Sequence, residues 1–186
     1  MTNSPNWIGI NTQIGWPAPG YVWTDETGDI TTNTIQHPPL GTVAQYYDNG
    51  TTQLCAGEFI WLLGVASTVA GDVVSYIGAD GAGAKGVTTR WAGTGNTGGP
   101  LAVATAATVA AAQGWYQIGG AAIVNTSGTV VAGNPLYYAG TTALMGASAS
   151  NGKQVMGAIA GSANGVPATN QTIVTLDRPT VQGQTS

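Results

Sequence analysis

Few residues in this chain can do acid–base or nucleophilic chemistry: one histidine, His37, one cysteine, Cys55, and eight carboxylates. A Ser or Cys nucleophile needs a base to take its proton, and that base is usually His. His37 stands between Gln36 and two prolines in a stretch with no regular period, which makes it a poor base. A zinc site draws three or four ligands from Cys, His and carboxylates, and one His with one Cys cannot supply the usual sets. Asp25, Glu26 and Asp29 lie in TDETGDI, which is acidic and turn-rich but lacks the ordered ligands of a calcium loop, so it reads as a solvated acidic turn. Asp48, Glu58, Asp72, Asp80 and Asp177 are scattered over separate runs, and nothing selects two of them as a glycosidase-type pair. Lys85 sits in the glycine-rich GADGAGAKG but is followed by Gly86, so the order of a phosphate-binding loop is missing. Cys55, beside the apolar LCAGEFIWLL, reads as a small core residue without a disulfide partner. The sequence therefore predicts no catalytic set, no metal site and no cofactor, and the chain is not expected to be an enzyme.

The elements that carry these residues are themselves poor in charge. Only 6% of the 186 residues are Asp, Glu, Lys or Arg, against about 25% in an ordinary soluble domain. Nothing ionisable except tyrosine lies between Arg90 and Lys153. Four basic residues and a net charge of −4 provide no phosphate-binding stripe, which argues against nucleic acid and against anionic membrane surfaces. The stretch GGPLAVATAATVAAAQGWYQIGGAAIV, residues 98–124, is uncharged, yet it has Ala and Thr where a spanning helix would carry Leu and Ile. The start, MTNSPNWIGINTQ, has no basic segment followed by an apolar run, so no cleavable signal is expected and synthesis in a cytoplasm is.

Length allows one domain with a real core. Residues 1–40 differ from the remainder of the chain: they hold Trp7, Trp16 and Trp23, prolines at 5, 17, 19, 38 and 39, and no helical or strand period. They read as an extended arm. Large rings left in water are costly, so the arm must lie on its own domain or on a neighbouring subunit. Ordering it opposes burial of its apolar groups, and the balance predicts loose order in isolation with anchoring on a neighbour through Trp7, Ile10, Trp16, Tyr21 and Trp23.

From Gly41 onward, β-type runs alternate with turn signals. The runs are TVAQYY, EFIWLLGVA, VVSYI, VTTRWA, WYQIGGAAIV, PLYYA, QVMGAIA and TIVTL, and between them stand Asn49-Gly50, Asp80-Gly81, Asn151-Gly152 and Asn164-Gly165. The prediction is a mainly β fold, a small single-domain β-barrel or sandwich over residues 41–179, with a short tail at 180–186. Within residues 98–124 the pattern predicts strand, one or two helical turns through TVAAAQG, then strand, while helix propensity alone would favour a longer helix through the alanines. A weak internal repeat relates STVAGDVVSY, residues 67–76, to TVVAGNPLYY, residues 129–138, with Gly71 and Gly133 in register. It fits either one turn recipe used twice or a duplication.

Four pieces in order, GEFIWLLGVAS at 57–67, VAGDVVSY at 69–76, PLAVA at 100–104 and AAQGWYQIGG at 111–120, resemble the head decoration, or cement, proteins of tailed bacteriophages. The resemblance runs from about residue 41 to the LDRP at 176–179; the arm matches nothing in it. It implies a compact β domain on the outer capsid surface, made in the host bacterial cytoplasm, that bridges neighbouring copies of the major capsid protein. It also implies a homo-oligomer, most often a trimer, without enzyme activity or cofactor. Low charge and small side chains suit such a covered surface. The competing expectation is a carbohydrate-binding or receptor-binding module of a phage fibre or head appendage, since Trp, Tyr, Asn, Gln and Thr also suit sugars. A hydrolase built on the scattered carboxylates is a third.

Overall fold

A computed structural model describes residues 7–10, 16–23, 37–50, 54–79, 85–93 and 98–183. All regular structure among them is β, in twelve strands: β1 (Trp7–Gly9), β2 (Val22–Trp23), β3 (Val43–Asp48), β4 (Ala56–Leu63), β5 (Val73–Ala79), β6 (Lys85–Arg90), β7 (Gly99–Ala104), β8 (Gln113–Asn125), β9 (Pro135–Tyr138), β10 (Met145–Gly146), β11 (Gln154–Ala160) and β12 (Gln171–Val181). They join one mixed sheet in the order β1-β3-β4-β6-β5-β7-β8-β12-β11-β9-β10, with β2 paired to β8 off this path. Because β4 also pairs with β8, the strands β4, β6, β5, β7 and β8 form a closed hydrogen-bonded circuit. The mainly β, single-domain expectation holds. The helical turns expected through TVAAAQG do not form: residues 109–112 make a tight turn, with Ala111 at φ 65°, that leads straight into β8.

That turn belongs to a set. Hydrogen bonds from the fourth residue's N–H to the first residue's carbonyl close tight turns at 18–21, 39–42, 69–72, 109–112, 131–134, 141–144, 150–153 and 168–171. In each, the third residue has a positive φ, the signature of a type II turn. Glycine holds that position five times, and Ala111, Ala143 and Asn170 take it in the others. A strand begins at the next residue in seven cases and at the last turn residue in the eighth. The repeat at 67–76 and 129–138 is thus one turn recipe reused across the fold.

Burial follows strand period. Strand β3 alternates outward and inward, with Val43, Gln45 and Tyr47 exposed and Ala44, Tyr46 and Asp48 buried. Strands β4 and β8 are buried on both faces, since Phe59, Trp61 and Trp115 enter one core and Ile60, Leu62, Tyr116 and Ile118 another. A third, largely aliphatic core lies between β7, β8, β9, β11 and β12, around Val73, Leu101, Val124, Leu136, Met145, Val155 and Val174. Strand β8 bends at Gly119-Gly120, where Gly120 has φ 82° and a side chain would run into the Ala56 carbonyl. No β-carbon fits there, so the kink fixes how closely β4 crosses β8.

Candidate functional site

The arm is the feature that the sequence singles out, and its described residues are knit into the chain's own fold. Ile8 is paired with Tyr47 in the β1–β3 ladder, and Val22 with Gly114 in the β2–β8 ladder. Trp7 packs edge-on against Phe59 at 4.8 Å between ring centroids, and Trp16 lies tilted over Trp115. Trp23 is in ring contact with His37, which in turn stacks on Trp61. The Pro17 carbonyl accepts two hydrogen bonds from the core, from the Trp115 indole Nε1 at 2.7 Å and from the Tyr46 hydroxyl at 3.1 Å. The Gly20 amide donates to Thr105 Oγ1. Burial pushes the Tyr46 phenol up to about 12, because ionising it would place a charge among aromatic rings.

The tryptophans expected to anchor on a neighbour are seated within their own chain. Trp7 and Trp23 are buried in their own chain and Trp16 is half-buried, so their apolar surface is already spent inside. The reason is geometric. The WPAPG segment, with its turn at 18–21, carries a backbone carbonyl over the two ring donors of the core, and closure within one chain costs less entropy than capture of a second molecule. Of the five residues named from sequence, Ile10 and Tyr21 point outward, at 47% and 41% exposure. Ile8, Ile10, Val43 and Tyr47, with exposed Gln45 among them, make an uncharged and largely apolar face over β1 and β3. Ile10 stays in register there, since its amide donates to the Gln45 carbonyl.

The other chemistry-bearing residues have structural roles. Asp72 is buried and takes Arg90 Nε and Nη2 on one oxygen at 3.2 and 2.9 Å. The Val69 amide donates to that same oxygen and so closes the turn at 69–72, while the other oxygen accepts from Asn125 Nδ2. Asp48 receives the amides of Gly50 and Leu54 and so holds the turn at Asn49-Gly50. Glu58 pairs bidentately with Arg178 across the kink, at 2.6 and 3.0 Å. That hydrogen-bonded carboxylate raises the pKa of the Arg178 guanidinium. Two of the four basic residues are thus committed to carboxylates. Among the described residues no three of His, Cys, Asp and Glu come together as a metal site, and no helix is long and apolar enough to cross a membrane. Cys55 is exposed at φ 63°, not in the core as its apolar neighbours suggested, because the chain reverses there to return its carbonyl to the Asp48 amide. Asp25, Glu26, Asp29 and Asp80 lie outside the described residues.

Sequence reading misses the shared acceptor at Pro17 and the Asp72 hub. An acceptor on the backbone leaves no trace in residue type; Asp72 and Arg90 are far apart in the chain and look like any two surface charges. Set against models of known protein families, against curated proteins and against solved structures, the chain finds no match in any of the three.

Proposed function

We propose that this protein is a virion structural protein that decorates and cements a bacteriophage capsid from its outer surface, as a homo-oligomer, most simply a trimer, bridging neighbouring copies of the major capsid protein. It is synthesised in the host cytoplasm and acts without catalysis or cofactor. The observation that carries this reading is the exposed face of Ile8, Ile10, Val43 and Tyr47, which is uncharged and apolar apart from the Gln45 carboxamide among them and lies where β1 ends the sheet. Side chains of this kind gain by being covered, and a face held in a β ladder is ordered before it meets its partner, so little entropy is lost on docking. The sequence resemblance agrees. A carbohydrate-binding module with a tryptophan platform finds less support, because five of the six tryptophans are buried and the sixth is half-buried.

The test is to mix purified protein with undecorated capsids of the phage that encodes it and image the particles. The expected result is density at fixed symmetric positions, lost when Ile10→Glu and Val43→Glu are combined while the fold is retained. Unchanged decoration by that double variant would remove the β1/β3 face as the contact, and absence of decoration by the native protein would remove the reading.

A further inference from the structure

A cleft of about 450 Å³ opens at the end of the sheet where β9, β11 and β12 run side by side, and it is lined by Tyr137, Ser150, Asn151, Gln154 and Gln182. Tyr137 and Gln154 are directly opposed across β9 and β11. On the other side the Gln182 amide donates to the Gln154 carbonyl at 2.9 Å, one step beyond the Val155–Val181 pair of β11 and β12. Residues opposed in this way put their side chains on one face, so a tyrosine and two glutamines form a row across three neighbouring strands, about 4.7–4.9 Å apart. The turn at 150–153 makes the lip. It is closed by the Lys153 amide on the Ser150 carbonyl and pinned to the β12 end by Gly183, whose amide donates to the Gly152 carbonyl at 3.0 Å. Beyond Tyr137 the next residue in the row is Gly146, which has no side chain to lay over the ring.

Three features define what such a cleft can hold. No carboxylate, Lys or Arg lines it, and the adjacent Lys153 ammonium is already placed over the Tyr138 ring at 5.4 Å, so a charged ligand would find no counter-charge. The carboxamides of Asn151, Gln154 and Gln182 make no hydrogen bond within the described residues, although those of Gln113, Gln117, Asn125 and Asn164 do. Each free carboxamide offers two donors and an acceptor side by side, which matches a pair of neighbouring hydroxyls, each able to donate and accept. The tyrosine ring supplies a flat apolar surface for a C–H face.

We infer that this cleft is a saccharide subsite for one neutral pyranose unit of a glycan, with Tyr137 as the stacking surface and Asn151, Gln154 and Gln182 as the hydroxyl-reading groups. It is open, so a single copy binds weakly, and repetition on an oligomer or a particle supplies avidity. The site stands independently of the capsid reading.

The test is a titration of the isotopically labelled protein with the methyl glycosides of glucose, galactose, mannose and N-acetylglucosamine, followed by backbone amide resonances. Expected are shifts with at least one of them, confined to residues 150–154, Tyr137 and Gln182–Gly183, and a loss of affinity of roughly tenfold or more in the Gln154→Ala/Gln182→Ala variant. Gln182→Ala alone, at an exposed strand end, gives a smaller loss in the same direction. Tyr137→Phe, which keeps the ring, retains most of the binding. No shift with any of the four sugars, shifts scattered over the surface, or equal shifts in the double variant would overturn the site. Decoration of capsids in the presence of the glycoside should be unchanged, so each proposal can fail without the other.

Discussion

The two largest cores of this molecule are built by different rules. Under the arm, six large rings, Trp7, Trp23, Tyr46, Phe59, Trp61 and Trp115, fill the space, and both core tryptophans of β4 and β8 use their N–H groups, Trp61 on Gln113 Oε1 and Trp115 on the Pro17 carbonyl. Between β7, β8, β9, β11 and β12 the core is mostly Val, Leu and Ala, and its one tryptophan, Trp91, has a buried Nε1 without a hydrogen-bond partner among the described residues. The first core is oriented by hydrogen bonds and needs the arm to complete it. The second is filled by volume and completes itself. Aromatic cores of the first kind fix one arrangement because a ring donor accepts few positions, while aliphatic cores tolerate exchange of similar volumes.

The largest expected effect comes from removing residues 1–23. This takes away Trp7, Trp16, Trp23 and the Pro17 acceptor together, strips Trp115 and Tyr46 of their hydrogen-bond partner and opens the aromatic core to water. The truncated chain should fail to fold or should melt tens of degrees lower, as read by near-ultraviolet circular dichroism. A truncated protein that melted like the full chain would show that the arm is an accessory after all.

Next comes a matched pair. Trp115→Phe should destabilise by about 2–4 kcal/mol in a denaturant titration, because it loses ring volume and one of the two bonds to Pro17. Trp91→Phe loses the same ring volume but removes an indole N–H that is already unpaired, so it should cost about 1–2 kcal/mol less than Trp115→Phe. Equal losses would dissolve the distinction between the cores. Asp72→Ala, which strips three elements of a common acceptor and leaves Arg90 without its partner, should cost about 2–4 kcal/mol.

The aromatic core should also carry the alkaline limit of stability. The Tyr46 phenol has its folded-state pKa raised from 10.0 to about 12, and burial raises that of Tyr116, in the neighbouring core of Ile60 and Leu62, in the same direction. A raised phenol pKa means that the unfolded chain loses its proton first, so this stability is fully present below pH 10 and is lost as pH rises towards 12. Melting temperature measured across that window should fall steadily, and Tyr46→Phe should flatten the fall. The smallest effect is expected at Ala111 and Ala143, which hold positive φ angles of 65° and 66°. Glycine relieves that strain but adds freedom to the unfolded chain, so either change to Gly should stabilise by about 1 kcal/mol at most.

Most of the β architecture is legible because it is written in local signals. The eight β-type runs fall on β3, β4, β5, β6, β8, β9, β11 and β12, and PLAVA falls on β7. Strand β10 is two residues long and leaves no period to read. The alanines at 110–112 suggest helix because alanine is the best helix former, and they instead occupy a turn whose third position glycine takes in most of the sister turns. The tryptophans of the arm show that it must be covered, but residue types hold no means of telling its own core from a neighbour's. Ring donors and a backbone acceptor meet only in three dimensions. The same limit applies to the cleft: Tyr137, Gln154 and Gln182 look ordinary until register places them in one row.

The turns that precede eight strands bear on how the chain reaches this arrangement. A sheet with so many distant pairings must avoid slips of one residue, each of which would exchange a strand's inner and outer faces. Here the first residue of a strand is specified by a bond formed three residues apart, before any partner strand arrives. A slipped strand would have to break that bond as well, so errors of alignment are penalised locally and early. Folding can then proceed as a succession of short, self-registered segments, and the search for distant partners starts from strands whose faces are already assigned.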